Sequence, residues 1–395
     1  MTSCRLNFPA RNLRPYDNSR YELCNGIRDN NNMARGRKGK KKKKGRAQND
    51  SLPRSPGNFV KSAGPGCYIV RWDDQSSLLW WEQDIAAEDY DVEEVPDIAL
   101  DPDSGTLTVC NVDDCTKVAI VTVFEATCLG ADREVLDAGH SVDEDGAVSS
   151  CVTFIILSPP QSFAHLCYID CDDLLAVRIE SDVQKWSRHP SPDDCHQRLL
   201  GFPLRCEEEG PFLCTQGEGG TLTHFFSGNL HAVDFRCDVG TPLVAVGHGT
   251  VIESNDANKL SGIAVSNLFK WNSILLQLDD ENDPLFVEYV HIQSSLVKKG
   301  DNVRKGDVIG YSGNVGFCPE PHLHFAAYRS AKAEATTVRV RFYSPDNGSF
   351  LPVAGVWYNE EGPIVETIRY SQHCNTGTDT PMRYAPQLRH ASPSV

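Results

Sequence analysis

Short apolar runs of the β type recur along the chain, and turn-forming residues separate them. In the first half these runs are rich in Val, Ile, Thr and aromatic residues, and acidic segments such as EDYDVEEVPD lie between them. The runs read CYIVRW, TLTVCNV, KVAIVTVFEA, CVTFIIL and LCYI. This pattern predicts a separate β-sandwich-like domain over residues 58–190, whose role the sequence leaves open.

A second series of β-type runs follows in the other half of the chain. It comprises PLVAV, GTVIES, SILLQL, LFVEYVHI, DVIGYSG, TTVRVRFYS and FLPVAGVWY, punctuated by Gly, Asn and Asp. Long stretches with helical periodicity are absent, so we expect a mainly β protein with a second β-rich domain over residues 195–370.

The two ends of the chain have a different character. Residues 1–57 contain few large apolar residues and include the basic block Arg35–Arg46, RGRKGKKKKKGR. Such a segment cannot bury enough apolar surface to offset the entropy lost on ordering, so we predict a disordered basic tail. The block is typical of nuclear-localisation or polyanion-binding segments, and equally of a solvated tail without a receptor. Residues 371–395 are predicted to be a polar tail.

Charge divides the chain in the same way. Residues 1–50 carry 14 Lys and Arg against 4 Asp and Glu, whereas the remainder carries 24 against 50. The acidic body would repel phosphate, so we expect nucleic-acid binding only through Arg35–Arg46.

No run approaches the ~18 apolar residues of a membrane span. The N-terminal sequence shows no apolar signal region, which favours a cytoplasmic or nuclear location over secretion.

The fifteen cysteines are scattered without CxxC pairs. The closest pairs, Cys110/Cys115 and Cys167/Cys171, have no matching second pair, which argues against a structural zinc knuckle. In a chain that stays in a reducing compartment we expect most of them to be reduced, buried thiols. If the protein is exported, the alternative is that some of these cysteines form disulfide bonds.

Histidines and one aspartate form the clearest chemical pattern. His322 and His324 lie in EPHLHFAAY, and alternate residues of a β-strand point to the same face, so both imidazoles are predicted to enter one groove. Upstream lie THFFSGNLHAVDF, which contains Asp234, and EYVHI, which contains His291. A zinc peptidase needs three protein ligands and one open position for water, with a group that accepts the proton of the water. Three histidines outside this pattern, at 140, 165 and 248, are interpreted as surface, turn or packing residues.

Five blocks in this order resemble the lysostaphin-like (LytM-type) zinc metalloendopeptidases over residues of about 200–330. They are a His upstream of AVDF, GTPLVAVGHGTV, YVHI, the hairpin segment LVKKGDNVRKGDVIGYSG, and PHLHF. The resemblance implies an antiparallel β-sheet metallopeptidase domain with an open groove, the duplicated hybrid motif fold. It also implies a Zn²⁺ cofactor and a peptide substrate, since many members cut peptide cross-links of bacterial cell walls.

Carried over residue by residue, the resemblance implies that Asp234 and His324 are zinc ligands. His291 and His322 would flank the bound water as general base and as oxyanion or orienting partner. The common family pattern places the first ligand four residues before the aspartate, where this sequence has Leu230. His224, ten residues before Asp234 and preceded by Thr223, is the preferred replacement, and His231 is the alternative.

The function predicted from the sequence is therefore hydrolysis of peptide bonds, such as those of peptidoglycan cross-links. The resemblance further implies small residues such as Gly or Ala next to the cleaved bond, because substrates of the family tend to have them there. The displaced first histidine motivates an alternative, a catalytically degenerate member of the fold that acts as a binding or scaffold module.

Two other sequence patterns are weaker evidence for a function. The hairpin LVKKGDNVRKGDVIG resembles a lipoyl domain but lacks the modified lysine at a tight tip. The Gly-rich segment Gln216–Gly220 lacks the Gly-Lys-Ser/Thr ending of a phosphate-binding loop, and a role in lining the groove beside the metal is the alternative interpretation.

Overall fold

The computed structural model describes residues 59–62 (backbone only), 64–70, 96–186, 195–205, 210–220, 222–225, 228–280, 283–332 and 335–364. The predicted tails, 1–57 and 371–395, lie outside these residues. No helix in the described part of the chain is long and apolar enough to cross a membrane.

The first part of the chain, which we call the N-terminal sandwich (described residues 59–186), consists of strands and one 3₁₀ helix, Leu174–Ala176. The strands are β1 (Phe59–Ser62), β2 (Cys67–Val70), β3 (Ile98–Leu100), β4 (Thr106–Asn111), β5 (Lys117–Phe124), β6 (Thr127–Leu129), β7 (Gly139–Val142), β8 (Val148–Ser158), β9 (Ser162–Asp170) and β10 (Ile179–Lys185).

Two sheets face each other in the N-terminal sandwich. One has the strand order β1-β2-β8-β5-β10, with β7 also paired to β8, and the other has the order β3-β4-β9-β6. Neighbouring strands are antiparallel except β2 and β8. Val109 of β4, Val121 of β5, Phe154 of β8 and Leu166 of β9 meet in the core between the sheets.

The second part contains the remaining strands and a 3₁₀ helix, Val265–Asn267. The strands are β11 (Cys195–Leu200), β12 (Phe212–Gln216), β13 (Val233–Arg236), β14 (Pro242–Val244), β15 (Gly249–Asn255), β16 (Ser261–Gly262), β17 (Ser273–Leu278), β18 (Leu285–Val290), β19 (Ser294–Ser295), β20 (Asn302–Val303), β21 (Val308–Tyr311), β22 (His322–Tyr328), β23 (Arg339–Ser344), β24 (Gly348–Phe350), β25 (Trp357–Asn359) and β26 (Gly362–Pro363).

A long antiparallel sheet with the order β20-β15-β17-β18-β22-β13-β12-β25-β26 organises this second part. Strands β14-β21-β19 and β11-β23-β24 form two smaller sheets, in which only β11 and β23 are parallel. The mainly β fold with antiparallel sheets that the sequence predicts is thereby confirmed.

Strand β22 shows how the sequence positions the site. All seven of its residues are buried, because both faces of the strand are covered. Leu323, Phe325 and Ala327 point into the apolar core of the second part. The intervening residues, which include His322 and His324, point to the opposite face. The apolar positions of PHLHFAAY thus hold the imidazoles on one side of the sheet.

Candidate metal centre and active site

Strand register brings Asp234 and His324 together. Asp234 of β13 lies opposite His324 of β22, and Val290 of β18 lies opposite His324 on the other side. Side chains of residues directly opposite each other in an antiparallel pair share one face. The carboxylate Oδ1 of Asp234 lies 2.8 Å from Nδ1 of His324.

His224 completes the group from a loop rather than from a strand. Its Nε2 lies 3.2 Å from Oδ1 of Asp234 and 3.2 Å from Nδ1 of His324. All three side chains are buried. His231, the alternative first ligand, points elsewhere, and its Nδ1 lies 3.2 Å from Oε1 of Glu218.

The three donor atoms fit one divalent ion. The potential ligand atoms of His224, Asp234 and His324 lie within 4.8 Å of one another. Because none of the three separations given above exceeds 3.2 Å, a point about 2.1 Å from each atom exists, and that is the usual zinc–ligand distance. Two imidazoles and one carboxylate are also a donor set typical of catalytic zinc.

His291 and His322 lie beside this group. Their ring centroids are 4.7 Å apart, and Nε2 of His322 lies 3.8 Å from Oδ1 of Asp234. His291 follows the last residue of β18 and has a φ of +65°, a backbone conformation that is uncommon for a residue with a side chain. This turn out of the strand directs the ring toward His322.

Backbone carbonyls hold three of these imidazoles in one orientation. Nδ1 of His224 lies 3.0 Å from the carbonyl oxygen of Gly217, that of His291 lies 2.7 Å from Val315, and that of His322 lies 2.7 Å from Glu320. A carbonyl only accepts, so each Nδ1 carries the proton and donates it. In the neutral rings the Nε2 lone pair is then free to bind a metal or to accept a proton.

Charges in the cluster shift the pKa values of its members. Burial raises the pKa of Asp234, but His224 and His322 outweigh it, and the net pKa lies well below the usual range of a carboxyl. Burial, with the charges of His322 and His324, lowers the pKa of His291 well below its ordinary value. Burial opposes protonation of His322, but Cys318 and Asp234 raise its pKa to about 10.

Gln216 supports the group in a way that the sequence did not reveal. Its Nε2 donates to Oδ2 of Asp234 at 2.8 Å, and its Oε1 accepts from the backbone N–H groups of Leu222, Thr223 and His224. One amide therefore orients a ligand carboxylate and the loop that carries His224. The sequence singled out Gln216 as the start of a Gly-rich segment, with groove lining as one interpretation, but it did not indicate these hydrogen bonds.

A cavity opens over these residues. Its lining combines polar groups of the cluster with apolar side chains from loops, which include Leu268, Trp271 and Phe317. The other histidines singled out from the sequence lie elsewhere. His165 pairs with Thr108 in the N-terminal sandwich, and Nδ1 of His248 accepts from the N–H of Lys305.

Comparisons with known proteins show which family part of the chain resembles. Residues 228–336 match the profile of peptidase family M23. We name residues 228–336 the M23 domain after this match. The match confirms the family resemblance stated from the sequence; it begins after His224, and its range includes Asp234, His291, His322 and His324.

Several named proteins are similar to part of the chain. Glycyl-glycine endopeptidase ALE-1 of Staphylococcus capitis is 30% identical over 171 residues, which are 40% of this chain and 44% of ALE-1. Peptidoglycan DD-endopeptidase ShyA of Vibrio cholerae is 30% identical over 95 residues, which are 24% of this chain and 19% of ShyA.

Among solved structures, the catalytic domain of lysostaphin from Staphylococcus simulans is 28% identical, with a TM-score of 0.23. The similarity covers 33% of this chain and 87% of that domain. The chain spans less than half the length of the curated relatives named here.

Proposed function

We propose that this protein is a zinc-dependent metalloendopeptidase that hydrolyses peptide bonds in peptidoglycan-like substrates. The observation that carries the proposal is the convergence of His224 Nε2, Asp234 Oδ1 and His324 Nδ1 within 3.2 Å of one another. Two further imidazoles, those of His291 and His322, lie at the edge of this group. The M23 match and the names of the similar proteins support the same class of reaction.

His224, Asp234 and His324 would hold the ion. A bound Zn²⁺ supplies a Lewis acid that polarises the scissile carbonyl and lowers the pKa of the attacking water toward neutrality. The low pKa of Asp234 keeps its carboxylate ionised, so the ligand is ready without loss of a proton.

The two flanking histidines have different roles, one as a proton acceptor and the other as a hydrogen-bond donor. His291 has a lowered pKa and an Nδ1–H held by Val315, so its neutral Nε2 is suited to accept the proton of the attacking water. His322, whose Nε2 lies 3.8 Å from Oδ1 of Asp234, would donate from a protonated ring to the oxyanion that develops on the substrate carbonyl. The accepted proton then passes to the leaving amine.

Digestion with and without a chelator tests the proposal. Purified peptidoglycan and a peptide library that contains Gly-Gly and Ala-containing sequences are incubated with the full chain, and new amino termini are counted. We expect cleavage that a chelator abolishes and added zinc restores. His291→Ala and His322→Ala should each lower kcat by about 10²- to 10⁴-fold, whereas His248→Ala, which removes an exposed histidine, leaves it unchanged.

The same assay, with binding of zinc and peptidoglycan measured alongside, decides between this proposal and the alternative function. Wild-type protein that binds zinc and peptidoglycan but cleaves nothing would be a scaffold that retains the fold without the reaction. Cleavage that persists in the chelator, or in His291→Ala and His322→Ala alike, would contradict the proposed mechanism.

A further inference from the structure

One wall of the active-site cavity is apolar and belongs to loops. Leu268 and Trp271 come from the segment between β16 and β17, and Phe317 and Pro319 from the segment between β21 and β22. They line the same cavity as His291 and His322. We call Leu268, Trp271, Phe317 and Pro319 the apolar wall.

Backbone hydrogen bonds attach the segment that carries Leu268 to the N-terminal sandwich. Strand β16 pairs antiparallel with β7, with Ser261 opposite Val142 and Gly262 opposite Ser141. The N–H of Ile263 then donates to the carbonyl oxygen of His140 at 3.1 Å. A short piece of the second part of the chain is therefore a strand in a sheet of the first part.

Glycine at position 262 permits this close approach. A Cβ at Gly262 would lie 2.1 Å from the carbonyl oxygen of His140, and the residue has a φ of +96°. Both the space and the backbone conformation exclude ordinary side chains. The sequence is thus adapted to a tight contact between the two parts.

Two buried threonines of the sandwich fix the next residues of the segment. Oγ1 of Thr153 donates to the carbonyl oxygen of Ile263 at 2.6 Å, and Oγ1 of Thr122 accepts from the N–H of Val265 at 3.0 Å. The two hydroxyl groups also contact each other at 2.8 Å. Both side chains are fully buried, so water cannot replace these hydrogen bonds.

A shared apolar core completes the attachment. Strands β5 and β8 turn one face toward the sandwich core and the other toward the second part of the chain. On that second face Ile120 and Ile155 cluster with Ile263, Leu268 and Phe317. Leu268 and Phe317 therefore contact the N-terminal sandwich on one side and line the cavity on the other.

We propose that the N-terminal sandwich is a positioning element of the active site. It holds the apolar wall in place, and the substrate residue next to the scissile bond packs against that wall. This inference rests on the proposed peptidase function. Displacements of about 1 Å in a substrate-binding surface are enough to weaken binding, so a wall without its support would bind substrate less tightly.

Removing the two hydroxyl groups tests the inference. In the full-length, zinc-loaded protein, Thr122→Val and Thr153→Val are combined, since valine keeps the shape and deletes the hydrogen bonds. Thr108→Val is the matched control, because Thr108 lies in the other sheet of the sandwich, where its hydroxyl contacts Nδ1 of His165 at 2.9 Å. Hydrogen exchange of residues 261–268 is measured together with KM and kcat on a peptide that the wild type cleaves.

We expect the double variant to exchange the amides of residues 261–268 about tenfold faster than the wild type. KM should rise about fivefold to tenfold with kcat changed less than about twofold, because wall contacts act on the bound substrate and the transition state alike. Thr108→Val should match the wild type in all three measurements. The variant Thr153→Ser, which retains a hydroxyl group, should also match it.

Equal exchange and equal KM in the double variant and in Thr108→Val would overturn the inference. If the double variant does not fold, Thr153→Val and Thr153→Ser are compared instead, and identical behaviour of this pair would overturn it. If the wild type cleaves no peptide, the proposed function fails, and hydrogen exchange alone decides whether the sandwich holds the segment.

Discussion

At the scale of single residues, the orientation of the site histidines depends on hydrogen bonds to backbone carbonyl oxygens, which the sequence does not identify. The protons on Nδ1 of His224, His291 and His322 are held by the carbonyl oxygens of Gly217, Val315 and Glu320. Any residue type supplies a carbonyl, so the sequence could name the imidazoles but not what orients them. Only the fold shows which backbone groups fix the three rings.

Gln216 offers the sharpest test at this scale. We expect Gln216→Leu to weaken zinc binding about 10- to 100-fold, because Asp234 and the loop of His224 lose a shared hydrogen-bond partner. Competition with a chelating indicator at constant pH measures the affinity. Gln197→Leu, at an exposed position in β11, is the control and should bind zinc as the wild type does. Unchanged affinity in Gln216→Leu would rule out the supporting role.

At the scale of secondary-structure elements, the sequence predicted the positions of strands better than the conformation of loops. The runs LFVEYVHI and PHLHFAAY correspond to β18 and β22, because continuous burial on both faces leaves a continuous apolar signal. For the first ligand, the sequence favoured His224 over His231 but left both open. The loop of His224 is fixed by Gln216, eight residues earlier, and no periodic pattern encodes such a contact.

The run KVAIVTVFEA illustrates a packing arrangement that the sequence did not predict. The sequence identified a strand, and β5 covers Lys117–Phe124. Val121 packs in the sandwich core, whereas Ile120 packs against the second part of the chain. A run that is apolar on both faces indicates two buried faces but does not identify what covers each of them.

An ion pair that links two elements gives a pH-dependent prediction. Glu218, after β12, pairs with Arg339 of β23 and with His231. Burial raises the pKa of Glu218, but the hydrogen bond from Arg339 and the charge of His231 lower it below its usual value. A carboxyl with a lowered pKa stabilises the fold above its unfolded pKa, and this contribution is lost as pH falls through the folded pKa.

Unfolding temperatures of metal-free wild type and Glu218→Gln are therefore compared from pH 3 to pH 8. The wild type should be the more stable protein near neutral pH, and the difference should shrink once the pH falls below about 4.5. Glu361→Gln, which changes an exposed carboxylate, should show little difference at any pH. A difference for Glu218→Gln that grows toward low pH would contradict the assignment.

At the scale of the whole molecule, charge separates the basic block from the acidic remainder. Residues 35–46 lie outside the described part of the structure, and their role stays a prediction from sequence. We expect deletion of this block to abolish binding to duplex DNA at low salt and any nuclear accumulation of the full chain, because the remainder is acidic. Unchanged DNA affinity and location after the deletion would remove the block as a functional element.

The central claim is that one ion is held by His224, Asp234 and His324, and metal analysis of the purified full chain tests it most directly. After dialysis against limiting zinc, the wild type and His248→Ala should retain about one zinc ion per chain, whereas His324→Ala and Asp234→Ala should retain about a tenth or less. A wild type with only traces of zinc, or a His324→Ala variant that retains as much zinc as the wild type, would contradict the account.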